Sequence, residues 1–462
     1  MVRTEFRGLL EQDSDNLYIL TDSQGRILSH IEIDETEREY TYTDIVRLLR
    51  MPYIKYTYRI CVLNPDDTIF YEIPLSDIVQ DSISYDETLQ NGLRRTLSLR
   101  LINKNGKYTP SANTQRGYYS VFYDYIDKNK KKYVSNPKYL QTPIWGMVRM
   151  SFDIGLRIED EKYMWFKKGK YIITKMSASQ QDSNKEVSID LKDKFYLFEG
   201  NIGKLVTPVE IPVGSDCLML VKDILSQDMG NGYSYDLLPP IFDSSLVGLK
   251  TSVTIKKEAG DTQSSVLQDI AEQMSASYFY NECGNLIFIP INEELKDMYK
   301  PITWYYETKF LDLLDVSIDY DIDNAVNMIK VIGDNMGETV NYALAVNKDP
   351  RSPICVGFLG KRLGDIITNE NTWSDSMAFD LARYYLRKKS ISCLNIKVQA
   401  KLNPLINVDK LISIDHEFFN FTNKKLVVSG ISFSSGEANM NINTTDIQTL
   451  DFLHAGDEGY EY

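Results

Sequence analysis

The sequence predicts an α+β fold that is mainly β: two tube-like antiparallel β-barrel domains, a small α/β domain between them and a short N-terminal appendage. Three observations carry this expectation. Short amphipathic strands succeed one another with turn residues, not helices, between them. Helical periodicity is convincing only in a central stretch and in one later segment. One strand–turn–strand pattern occurs twice.

Residues 1–52 form the appendage. Ten acids lie between Glu11 and Asp44 against only Arg26 and Arg38, and two short strands are expected around Asp22-Ser23-Gln24-Gly25. Thr43–Arg50 reads as a short helix stopped by Pro52. The first barrel domain is expected over 53–205. Tyr56–Leu63 and Thr68–Ile73 flank the turn Asn64-Pro65-Asp66-Asp67, and Thr96–Ile102 alternates with Leu97, Leu99 and Leu101 on one face. Residues 104–142, with the basic run Lys128–Lys132, read as a long surface loop. Strands resume at Trp145–Ile154, Tyr171–Met176 and Glu186–Leu191.

The α/β domain is expected over 206–312. Ser215-Asp216 caps a helix reaching Gln227, and Asp261–Ser264 caps a second whose stripe is Val266, Leu267, Ile270, Ala271 and Met274. A hairpin follows around Asn281–Asn285. The second barrel domain is expected over 313–452, with a strand at Ala325–Gly333, a helix at 374–389 and four further strands. Residues 453–462 form an acidic tail.

The repeated pattern joins Ile158–Glu161, the aromatics Tyr163, Trp165 and Phe166, and the strand Tyr171–Ser179 to Ile414–Glu417, Phe418, Phe419 and Phe421, and the strand Leu426–Ser434. Tyr171–Ser179 aligns with Leu426–Ser434 without a gap. Two similar barrels in one chain let a trimer present six similar units to a six-fold partner.

Composition narrows the function. The 462 residues carry 51 Lys+Arg against 65 Asp+Glu, a net charge of −14, which argues against a sequence-independent nucleic-acid clamp. No apolar run is long enough to span a bilayer, and no secretory leader opens the chain, so a cytosolic start is expected. Five separated cysteines read as free thiols, and three histidines are too few for most zinc or His-based chemistry. Asp319–Asn324 lacks the Gly and bidentate Glu of a calcium loop, since Asn324 and Lys330 occupy those positions. Gly357–Lys361 has the wrong spacing for a phosphate cradle. Pairs such as Glu159/Glu161 and Asp190/Asp193 offer two carboxylates for glycoside hydrolysis, but so many acids produce such pairs by chance. No catalytic, cofactor-binding or metal-binding residue is assigned, and no cofactor is expected.

The order of segments resembles the hub proteins of phage baseplates and related tail-associated proteins, a family that includes the hub part of type VI secretion spikes. Its echoes are Gly169–Ile173 followed by Ser188–Lys194, Ser265–Ala271 leading to Tyr278, Gly284, Asn285 and Leu286, Asp323–Val326, and Lys401–Ile412. The resemblance covers about residues 53–450. It implies a non-enzymatic virion protein of the tail baseplate, assembled in the bacterial host cytoplasm: a homotrimeric ring that adapts the six-fold tail tube to the three-fold spike. The implied partners are the tail tube protein, a central spike or tail-tip protein and the wedge proteins of the baseplate. DNA would pass along an acidic inner surface without sequence-specific binding, and no membrane insertion is implied. A peripheral tail adhesin stacking carbohydrate on exposed tyrosines, or a cell-wall glycan hydrolase, are the competing readings.

Overall fold

A computed structural model of the chain describes residues 9–446 apart from 15–16, 22–26, 35–39, 110–120, 122–147, 182–183, 231–232, 292–299, 308–309, 336–339, 351, 370 and 373. The described chain is mostly β with few helices, and its largest sheet has 16 strands. The basic run Lys128–Lys132, the turn Asp22–Gly25 and the acidic tail lie outside the described residues.

The N-terminal stretch is built into this sheet. Strands β1 (Leu9–Ser14), β2 (Leu17–Thr21) and β3 (Ile27–Ile33) form an antiparallel meander. Helix α1 (Tyr42–Leu49) starts at a capping box in which Thr41 and Asp44 satisfy each other's backbone N–H groups. It buries Tyr42, Ile45, Val46 and Leu49 in the core of the large sheet.

Seven strands follow: β4 (Tyr56–Leu63), β5 (Ile69–Ile73), β6 (Ser84–Thr88), β7 (Arg95–Ile102), β8 (Arg149–Glu159), β9 (Lys162–Gln181) and β10 (Asn184–Asp193). They pair antiparallel in the order β5-β4-β8-β9-β10-β7-β6. β3 adds to β9 at Met164–Phe166. There Arg59 holds Glu32 (2.8 and 2.9 Å) and Asp153 (2.7 and 2.9 Å) together.

The central part contains β11 (Val209–Ile211), α2 (Cys217–Ser226), β12 (Ile241–Phe242), β13 (Ile255–Lys257), α3 (Gln263–Gln273), β14 (Ala276–Tyr280) and β15 (Leu286–Pro290). Asp216 caps α2 and Thr262 caps α3. The helix stripe Val266, Leu267 and Ile270 shares a separate core with Val221, Ile224, Tyr278, Phe288, Phe195 and Phe198.

The last part contains β16 (Ile302–Glu307), β17 (Leu313–Tyr320), β18 (Met328–Asn335), β19 (Val340–Val346), α4 (Val356–Leu359), β20 (Leu363–Thr368), α5 (Asp375–Cys393), β21 (Leu394–Lys401), β22 (Leu411–His416), β23 (Phe421–Ser434) and β24 (Asn439–Asp446). Six of these strands run β16-β22-β23-β24-β21-β17. Strands β18, β19 and β20 form their own sheet, against which α5 packs Met377, Ala378 and Leu381.

Among the described residues the expected closed barrels do not form. β6, the last strand of the first set, does not return to β5 but pairs antiparallel with β23 of the second set. The two sets are therefore open sheets joined edge to edge, and residues of both contribute to one core.

Candidate functional site

The repeat read from the sequence extends through five strands. β8, β9, β10, β7 and β6 occur in the same chain order and the same lateral order as β22, β23, β24, β21 and β17. The first strand of each set differs, since β4 runs antiparallel to β8 whereas β16 runs parallel to β22. Register agrees residue by residue. Ile173 opposes Leu191 where Val428 opposes Thr444, and Leu191 opposes Leu97 where Thr444 opposes Ile396.

A β-bulge falls at the same place in both copies, leaving Thr174 and Ser429 unpaired. The Thr174 hydroxyl donates to the Asp190 carbonyl (3.0 Å), and the Ser429 hydroxyl donates to the matching carbonyl of Asn443 (3.1 Å). Opposite Tyr171 and Leu426 stand Asp193 and Asp446, both buried. Burial pushes the Asp193 carboxyl up to about 6, against the pull of the backbone N–H groups of Arg94, Arg95 and Phe195 that donate to it. Asp446 pairs with Lys424.

At the seam, Phe433 opposes Tyr85, Ser432 opposes Asp86 and Ser434 opposes Ser84. The rings of Tyr85 and Phe433 stack at 4.9 Å on the core side, next to Phe152. Beneath them Arg95 Nη2 lies 2.8 Å from Glu87 Oε1, and both side chains are sealed from solvent. Arg95 also donates to the Tyr280 carbonyl at 2.8 Å, tying the β14–β15 hairpin to the seam. From β9, Lys168 donates to Asn407 Oδ1 (2.7 Å), and Asn407 donates to Glu282 Oε1 (2.9 Å). Burial pushes the Lys168 ammonium down to about 8. This knot of charge joins the two sheet sets and the central part at one point.

A second knot holds the central part to β8 and β9. Lys194 reaches Asp67 (2.9 Å), Asp236 (2.6 Å) and the Gly284 carbonyl (2.9 Å), while Arg149 donates to Asp67 (3.0 Å). Burial raises the Asp67 carboxyl, but Lys194, Arg149 and Lys170 outweigh it and hold it at about 2. Gly284, in the turn of the hairpin, has φ +85°, and a Cβ there would stand 2.6 Å from the Lys170 side chain.

The other face of the joined sheet is polar across eight strands. From β10 to β17 one lateral row reads Lys192, Thr96, Asp86, Ser432, Asn441, Gln399 and Asp315, and only its β9 end, Ile172, is apolar. Neighbouring rows add Ser177, Ser188 and Arg100, and Thr88, Asn443, Lys397 and Ser317. Glu186, Asp190, Asp86, Asp315 and Asp319 are nearly balanced by Lys175, Lys192, Arg100 and Lys397 on this face. Arg100 pairs with Glu186 at 3.0 Å and Lys397 with Asp319 at 3.3 Å. The face is therefore close to neutral. A groove of about 350 Å³ opens at its edge against α5, with Arg94, Arg387, Lys388 and Lys397 in its wall.

The residues weighed for chemistry are scattered. Glu159 sits at the end of β8, and Asp190 is exposed on the polar face whereas Asp193 is buried at the start of a turn. Asp321 accepts hydrogen bonds from Asn324. No group of three or more His, Cys, Asp or Glu suited to a metal occurs among the described residues. Among them no helix is long and apolar enough to cross a membrane. β6 is not apparent as a strand from its residues, because its inward position Glu87 is charged; the opposed Arg95 and the Tyr85 hydroxyl make that side chain compatible with the core.

Solved structures carry the same architecture. A 43 kDa tail protein of the prophage MuSo2 from Shewanella oneidensis superposes with a TM-score of 0.51 at 12% identity, over 86% of this chain and 99% of that one. A tail protein from Neisseria meningitidis MC58 superposes with a TM-score of 0.54 at 10% identity, over 86% of this chain and 98% of that one. The chain has the fold of phage tail proteins. No protein-family model matches the sequence, and no curated protein matches it. The resemblance read from the segment order thus holds for the tail-protein fold.

Proposed function

We propose that this protein is a structural component of a phage-type tail, the central hub of its baseplate. Three copies form a ring that adapts a six-fold tail tube to a three-fold spike or tail tip, with wedge proteins around it. The observation that carries the reading is the repeat: two five-strand units with one register and one bulge position lie side by side in a single sheet, so three chains present six similar units. The polar face, rich in Ser, Thr and Asn and almost balanced in charge, suits the wall of a channel. Apart from the basic groove at its edge, the face offers a polyanion no excess of cations, so DNA passes along it without being held. The role needs no catalytic group or cofactor, and it places the protein in the virion baseplate after assembly in the host cytoplasm. The boundaries that go with it are 53–205 and 313–452 for the two tube-like units and 206–312 for the part between them.

Sedimentation velocity of the purified chain, with electron microscopy of the same sample, tests the reading. The expected result is a particle of three chain masses with a central opening. A single chain mass at all micromolar concentrations, with no binding to tube or spike protein, overturns it.

A further inference from the structure

We infer that the seam inside the chain is repeated between chains: β17 of one copy adds antiparallel to the exposed edge of β9 in the next copy. The register sets Ser317 opposite Ser179, Ile318 opposite Ala178, Asp319 opposite Ser177 and Tyr320 opposite Met176. The inference rests on the ring reading above and specifies the contact that closes the ring.

The argument is one of equivalence. β17 matches β6, because Ile318 opposes Ile396 as Tyr85 opposes Leu97. β9 matches β23, because their bulges and their pairing with β10 and β24 coincide. Within the chain β6 and β23 pair. Their counterparts do not pair with each other: β17 pairs with β21, and β9 beyond Ile172 pairs with β10, so each offers an edge that no described strand covers. Carrying the seam register onto these two edges gives the pairs named above.

The residues at these positions support the transfer. On the polar side the seam sets Ser434 against Ser84 and Ser432 against Asp86. The inferred contact sets Ser179 against Ser317 and Ser177 against Asp319, the same two residue pairs. Just beyond them, Lys175 comes opposite Asp321 with opposite charge. On the core side Tyr85 and Phe433 fill the seam. On that side of β17, Ile318, the counterpart of Tyr85, and Tyr320, the counterpart of Glu87, are each 36% exposed in the single chain, a large apolar surface for a sheet edge. Ala178, small and exposed, leaves room for Ile318. Strand addition of this kind is head to tail, and a head-to-tail contact forms a closed ring when its rotation allows.

Cysteine cross-linking of mixed single variants tests the register. Ser177→Cys mixed with Asp319→Cys is expected to give a covalent dimer on mild oxidation, and Ser177→Cys mixed with Ser317→Cys, two residues out of register, is expected to give several-fold less. The native thiols are controlled by the unsubstituted chain. Ile318→Lys, which places a charge on the exposed edge, is expected to shift the ring to single chains with an unchanged circular dichroism spectrum. A three-chain particle that cross-links equally in both registers, or that survives Ile318→Lys, overturns this inference and leaves the proposed function standing. Absence of any three-chain particle in the unsubstituted protein overturns both.

Discussion

Replacing Arg95 by Met isolates the largest electrostatic term at the seam. Arg95 and Glu87 are 3% and 0% exposed and face each other at 2.8 Å, and Arg95 adds a hydrogen bond to the Tyr280 carbonyl. Two unit charges at about 4 Å with an effective dielectric of about 20 attract by about 4 kcal/mol. Arg95→Met removes that attraction and strands the Glu87 carboxylate in the core, so the expected loss is about 3–5 kcal/mol. Glu87→Met strands the guanidinium and should cost a similar amount, slightly less because the Tyr280 carbonyl and Glu282, 3.8 Å away, remain. The double variant leaves no buried charge at the pair and should lose less than either single one. The assay is urea unfolding of the three variants and the parent, followed by fluorescence, with the denaturant slope checked for constancy. Additive losses, or single losses below about 1 kcal/mol, would refute the view that this pair is desolvated and mutually dependent.

Three further outcomes follow from the same geometry. Lys168 titrates near 8 in the folded chain and near its ordinary value of about 10.4 when unfolded, so the unfolded state binds more protons between these values and stability rises with pH across that window. The stability of Lys168→Met relative to the parent should therefore be more favourable at pH 7 than at pH 10, measured by thermal unfolding at both; no change in the difference would refute a buried ammonium. Glu32 is held at about 2 because hydrogen bonds from Arg59 and Lys167 outweigh the opposing effect of burial. Its contribution is present above about pH 4.3 and lost as pH falls towards 2, so the advantage of the parent over Glu32→Gln, about 1 kcal/mol after solvent screening, should vanish in acid-titrated unfolding curves. Thr174→Ala and Ser429→Ala should each cost about 1 kcal/mol, because they delete matching hydroxyl-to-carbonyl bonds at matching bulges; a severalfold difference in urea unfolding would show that the two copies are not energetically alike.

The repeat was legible in the chain because Tyr171–Ser179 and Leu426–Ser434 use the same alternation to bury one face of a strand. The helices α2, α3 and α5 were legible from their apolar stripes and capping residues, although α5 extends to Cys393, past its expected end. Other features were hidden. The bulges at Thr174 and Ser429 leave no mark in residue type, since a hydroxyl is common on any exposed strand position. β6 was hidden by Glu87. The sheet β18-β19-β20 with α5 was read as part of the second barrel, because nothing local shows that Ile329, Val331 and Ala343 pack against a helix instead of against β21.

Composition and periodicity alone determined the β-rich class, the repeat and the order of segments, because these depend on which side chains a strand or helix can bury on one face. Closure was decided only in three dimensions. Whether β6 bonds back to its own set or outward to β23 depends on partners hundreds of residues apart, and backbone hydrogen bonds are the same whichever strand supplies them. The choice falls to the side chains that meet across the seam: Tyr85 against Phe433 and, beneath them, the Arg95 cation that Glu87 neutralises at 2.8 Å.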